Sequence, residues 1–176
     1  MRALGPGSVA SLLKIALDVA YLLLWLFAGL IGLAAIAALF VPLDDRTLVY
    51  EVGGAARNIP LARTLVVGAL ALVACYAAAF GLILMRLRKV FATLTAGDPF
   101  QPENTRRFTQ IGLILAIITV GQFLAQLMAA MATDGVVPRP NPIDLMTPGF
   151  AVLVVFVLAE VFREGARLRR DAELTI

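Results

Sequence analysis

The residue in this chain with the least ordinary setting is Glu160. The fifteen residues before it, 145–159, contain no Asp, Glu, Lys or Arg. A carboxylate carried into hydrocarbon on such a stretch costs several kcal/mol unless it faces protein, is paired or is protonated. Tyr76, Thr119 and Gln122 also fall within charge-free stretches, at positions near the depth of Glu160 or one turn from it. Thr119, Gln122 and Gln126 share one face of a helix. Glu160, Thr119, Gln122 and Tyr76 therefore form a candidate intramembrane polar cluster, suited to a proton or a small polar ligand. The competing reading is hydrogen bonding between helices that holds a bundle together.

Other chemistry is poorly supplied. The chain has no His and a single Cys, Cys75. Zinc sites and the Ser-His and Cys-His pairs lack their ligand or base, and one cysteine provides no metal spacing. No catalytic, cofactor-binding or metal-ligating residue is assigned, no cofactor is expected, and the chain is not expected to be an enzyme.

The elements that position these residues follow from hydropathy. Stretches 19–43, 64–85, 108–133 and 145–159 carry no charge, and mean hydropathy over the 176 residues is +0.91. A spanning helix needs about 20 apolar residues for a core about 30 Å thick. The first three stretches suffice, and the first is too long for a signal peptide. The fourth covers only roughly 22 Å. Pro138, Pro140 and Pro142 should stop it growing outward, so it should grow inward and carry Glu160 with it. Counted from Pro148, Glu160 then lies about 12 Å inside the far edge of the core.

The expected fold is all-α: one polytopic membrane domain over residues 1–176, with four transmembrane helices in an antiparallel bundle. Its spans are placed at about 17–41, 61–86, 108–132 and 147–166. Eleven of the 15 Lys and Arg lie on the N-terminus, the middle connection and the C-terminus. The positive-inside rule then puts both termini in the cytoplasm. This distribution reads as topology and not as direct nucleic-acid binding.

Local signals refine the picture. Leu87, Val90, Phe91 and Leu94 make an apolar stripe that carries helix two to about Thr95. Helix four should run to about Arg170, with Val161, Gly165 and Leu168 on one face and Arg163, Arg167 and Arg170 on another. Pro60 and Pro148 suit first-turn positions of helices two and four. Glu103 suits the start of helix three. Lys14 and Asp18 are spaced for an i,i+4 pair. Residues 41–59 form a loop turning at Gly53-Gly54, and 134–147 an extended one. Ala28/Gly32 and Ala77/Gly81 allow close helix contact, within the chain or in a homo-oligomer.

Two motifs add a resemblance. One is Ala96-Gly97-Asp98-Pro99-Phe100, followed by Glu103-Asn104 and Arg107-Phe108. The other is Val161-Phe162-Arg163-Glu164-Gly165-Ala166-Arg167-Leu168, ending in Glu173-Leu174-Thr175-Ile176. Together they resemble a bacterial membrane family known as domain of unknown function 2975. The resemblance implies four spans in the bacterial inner membrane. It transfers no enzymatic activity and no site residues. It also implies a link to a small helix-turn-helix regulator, since family members are often encoded beside one.

The functional expectation is a regulatory or sensory partner of a cytoplasmic helix-turn-helix transcription factor. The partner platform would comprise Arg88, Lys89, Asp98, Phe100, Arg106, Arg107, Arg167, Arg170, Leu174 and Ile176. The alternative is a structural or accessory subunit of a larger membrane complex. A transporter or channel is disfavoured by the lack of a charged pathway through the spans.

Overall fold

The computed structural model describes residues 9–41, 47–52, 55–60, 63–96, 100–133 and 137–174. Four long helices dominate: α1 (Val9–Ala38), α2 (Arg63–Thr95), α3 (Pro102–Ala132) and α4 (Met146–Glu173). Each contains a window long and apolar enough to cross a membrane. Only 6% to 11% of each window is buried. A water-soluble helix hides its apolar stripe, whereas helices apolar all round belong in hydrocarbon. Length and composition therefore mark the chain as a multi-pass membrane protein.

Helix ends follow local chemistry. At the end of α1, Leu39 and Phe40 donate to the carbonyls three residues back, tightening the last turn. At the end of α2, the Thr95 hydroxyl reaches the Phe91 and Ala92 carbonyls, 3.1 and 3.0 Å away. Helix α3 opens with Pro102 in its first turn, where a missing N–H costs nothing, and Glu103 beside it.

Three local expectations are corrected. The segment expected as loop forms an antiparallel hairpin of β1 (Thr47–Val52) and β2 (Ala55–Pro60), paired from Thr47↔Pro60 to Val52↔Ala55. Pro60 thus ends a strand, and α2 begins three residues later at Arg63. Helix four also extends at its N-terminal end, the direction the prolines were expected to close. A 3-10 turn at Pro142–Leu145 precedes it, with Pro142 at the first position. Its cap is reciprocal: Asn141 Oδ1 accepts from the Ile143 amide at 3.0 Å, and Asp144 Oδ2 from the Asn141 amide at 3.2 Å. Pro142 initiates this element instead of blocking it. Pro148 falls in the first turn of α4.

The most extensive contacts join α1 to α2 and α3 to α4, with a narrower seam between α2 and α3. Among the described residues, no comparable contact joins α1 to α4. Among the described residues, seven of the eleven buried apolar ones are Ala, including Ala28, Ala77 and Ala159. Small side chains let helix backbones approach, which is how helices pack in lipid, where the hydrophobic effect between them is absent. Gly81 shows the demand: a Cβ there would lie 2.9 Å from Trp25 Nε1, so α2 accepts the α1 indole only because no side chain stands in its way. A Cβ on Gly32, in contrast, would meet nothing within 4 Å among the described residues.

Candidate functional site: a polar seam between α2 and α3 and the basic end of the helices

The polar residues within the spans do not converge on Glu160. Tyr76 on α2 meets α3: its hydroxyl lies 2.9 Å from the Ile118 carbonyl and 2.7 Å from Gln122 Oε1. A hydroxyl has one proton to give. Half a turn of the Gln122 amide makes Gln122 the donor and frees the Tyr76 proton for Ile118. Tyr76, Gln122 and Gln126 line an open groove of about 370 Å³ whose remaining walls are Leu72, Val73, Ala125, Ala129 and Val137. Thr119 is turned to its own helix, donating to the Leu115 carbonyl at 2.9 Å.

Glu160 stands apart. It pairs with Arg163 one turn along α4, and the two side chains are 58% and 69% exposed. The 3-10 turn also lengthens the element that carries Glu160. Four residues at about 2 Å and the helix from Met146 to Glu160 rise roughly 30 Å together, the thickness of a hydrocarbon core. Glu160 thus lies about one core thickness along the element from Pro142, with Arg163 as its partner. The fourth apolar helix, from Pro142 to Ala172, runs through Glu160, as expected from the sequence, but the carboxylate meets Arg163 on its own helix and not Tyr76, Thr119 or Gln122.

The basic end is more organised than its sequence suggests. Asp18 on α1 pairs with Arg88 on α2, not with Lys14, and the Arg88 guanidinium lies 4.7 Å from the Tyr21 ring centroid. That ties α1 to α2 through Arg88, whose side chain stays 36% exposed. Asn104, in the first turn of α3, is 0% exposed. Its amide donates to Thr93 Oγ1 at 2.6 Å, and Thr93 donates to the Val90 carbonyl at 2.7 Å. Arg107 donates to Asn104 Oδ1 at 2.8 Å and to the Lys89 carbonyl at 3.1 Å. Asn104 thus fastens the start of α3 to the end of α2. Only its place in the first motif marked it from sequence. The stronger signal was a Thr and an Asn flanking so short a connection.

Phe100 is another tie. Its ring lies 5.8 Å from that of Phe162 on α4, and Phe162 lies 4.8 Å from Phe108 on α3. A Cβ on Gly165 would come within 2.5 Å of Phe100, so this aromatic cluster sits directly on the Gly165 backbone. Phe100 therefore packs against α4 and still keeps 39% of its surface exposed.

The other platform residues divide. Lys89, Arg106 and Arg107 line a cleft between α2 and α3 together with Arg86, Glu103 and Gln110. Arg167 pairs with Glu164 at 2.7 Å, one turn away on α4. Arg170 carries the last-turn positive charge of α4, and Leu174 is 82% exposed just beyond it. Asp98 and Ile176 lie outside the described residues.

The fold and this arrangement define a class: a small helical membrane protein whose polar contacts lock its helices together at one end. Residues 51–176 match the family described as Protein of unknown function (DUF2975). The match covers well over half of the chain, including α2, α3 and α4, and the chain belongs to that family. Comparison with curated proteins and with solved structures finds no match.

Proposed function

We propose that this chain is a non-catalytic regulatory or sensory protein of the bacterial inner membrane. In this reading the four spans form an antiparallel bundle with both termini in the cytoplasm. The C-terminal arm of α4 is offered to a soluble helix-turn-helix regulator. The observation that carries the proposal is the arm itself. Beyond its charge-free stretch, α4 continues as helix to Glu173, with Val161, Leu168 and Leu174 exposed among charges. Exposed apolar side chains rimmed by charge suit burial against another protein. The family resemblance supplies the kind of partner. The groove beside Tyr76, Gln122 and Gln126 is where a membrane-borne signal would act.

The test is purification of the tagged full chain from its native host in mild detergent, with mass spectrometry of the eluate. A parallel purification carries Leu168→Asp and Leu174→Asp. A helix-turn-helix protein held by the unaltered chain and lost from the variant is the expected result. Subunits of a membrane complex with no such regulator would overturn it in favour of an accessory component.

A further inference from the structure

We infer that the cleft between α2 and α3 at the basic end binds the phosphodiester of an anionic phospholipid, with an acyl chain laid along α3. The first observation is charge. Arg86, Lys89, Arg106 and Arg107 line a cleft of about 370 Å³ against one carboxylate, Glu103. Like charges gathered at a protein surface repel one another, and an anion between them relieves the repulsion.

The second observation is what these cations lack. Arg88, Arg163 and Arg167 each have a carboxylate partner. Among the described residues no ion pair engages Arg86, Lys89 or Arg106. Among the described residues the Arg86 Nε–H, itself covered by protein, has no hydrogen-bond partner. A guanidinium with no carboxylate partner is matched best by phosphate oxygens. Arg107 is held in place by Asn104 and the Lys89 carbonyl, so one wall of the cleft is preset.

The third observation favours a lipid over a soluble anion. The cleft sits where two charge-free stretches end, at Arg86 and at Arg107. Arg106 and Gln110 begin a helical face that continues through Leu113, Ile117, Val120 and Leu124. All four are more than half exposed. A charged pocket that runs into an exposed apolar stripe on one helix face has the form of a phospholipid, head and chain together. Basic pockets between helices at a membrane border are the setting in which anionic headgroups are recognised.

The experiment is native mass spectrometry of the full chain, released from micelles doped with phosphatidylglycerol or with phosphatidylcholine. Selective retention of phosphatidylglycerol is expected. At about 1 kcal/mol per cation, each of Arg86→Gln, Lys89→Gln and Arg106→Gln should weaken retention about fivefold, and the triple variant about a hundredfold. Arg167→Gln with Arg170→Gln, outside the cleft, should retain lipid as the unaltered chain does. Equal retention of both lipids by the unaltered chain would overturn the proposal without reference to any variant. So would full retention by a folded triple variant. Displacement of the lipid by millimolar inorganic phosphate would assign the cleft to a soluble anion instead.

Discussion

The corner where α2 meets α3 and the arm of α4 beyond Val161 use the same kinds of polar residue in opposite ways. At the corner, Thr93, Asn104, Arg107 and the Lys89 carbonyl are linked from one helix to the other, around an Asn with no exposure. On the arm, Glu160–Arg163 and Glu164–Arg167 are exposed pairs three residues apart on one helix. A bond within a helix supports only that helix, by a few tenths of a kcal/mol. A bond between helices fixes where they stand, and its loss inside a buried network leaves several groups unsatisfied. The corner is therefore the fixed part of the basic end. The arm keeps its surface available.

The sharpest way to break that contrast is Asn104→Ala. It removes the donor to Thr93 Oγ1 and an acceptor from Arg107 at a fully buried site. Loss of about 2–3 kcal/mol is expected, read as a lowered thermal midpoint in detergent. A change no larger than that of an arm substitution would erase the difference between the two regions.

Next is Gly165, where corner and arm touch. Gly165→Val drives a side chain into the Phe100 ring, and overpacking of this kind costs about 1–3 kcal/mol. Phe100→Ala alone should also destabilise, since it empties the space against Phe162. The double variant should lose less than the sum of the two, because the valine then has room. Strict additivity would mean that the aromatic cluster does not anchor the arm.

A smaller effect is expected halfway along the spans. Tyr76→Phe removes the hydroxyl shared between Ile118 and Gln122, and hydrogen bonds between helices in membranes average about 0.6 kcal/mol. Denaturant titration of the two proteins in one detergent would resolve this. A loss above about 2 kcal/mol would place a second anchor at mid-span and weaken the distinction between the fixed corner and the rest of the seam.

The sequence discloses much of this frame. Charge-free length and proline punctuation reveal four helices, and the stripe Leu87, Val90, Phe91, Leu94 carries α2 to Thr95, where it ends. Contacts between helices are less legible, because their residues are far apart in the chain. Asp18 has a basic neighbour at Lys14, yet it chooses Arg88, seventy residues away. Nothing local distinguishes the two. The hairpin did leave a signal: two six-residue runs on either side of Gly53-Gly54 are the spacing of a tight β-turn. The start of the fourth element was less legible, because Pro142, which reads as a stop, is the first residue of a capped turn that lengthens the helix leading to Glu160.

That residue also supplies the smallest and most diagnostic prediction. If Glu160 were a buried carboxylate on a proton or ligand path, Glu160→Gln would change stability by several kcal/mol, since neutralising a charge in hydrocarbon is a large perturbation. If it is an edge residue paired within its own helix, the change should be about 0.3 kcal/mol, fading as salt is raised. The two outcomes differ by an order of magnitude, and thermal midpoints at low and high ionic strength separate them. Arg163→Gln should match Glu160→Gln, because each removes half of one local pair. Asp18→Asn should exceed both, because its partner sits on another helix. That ordering isolates the variable that separates corner from arm: whether a polar bond crosses between helices.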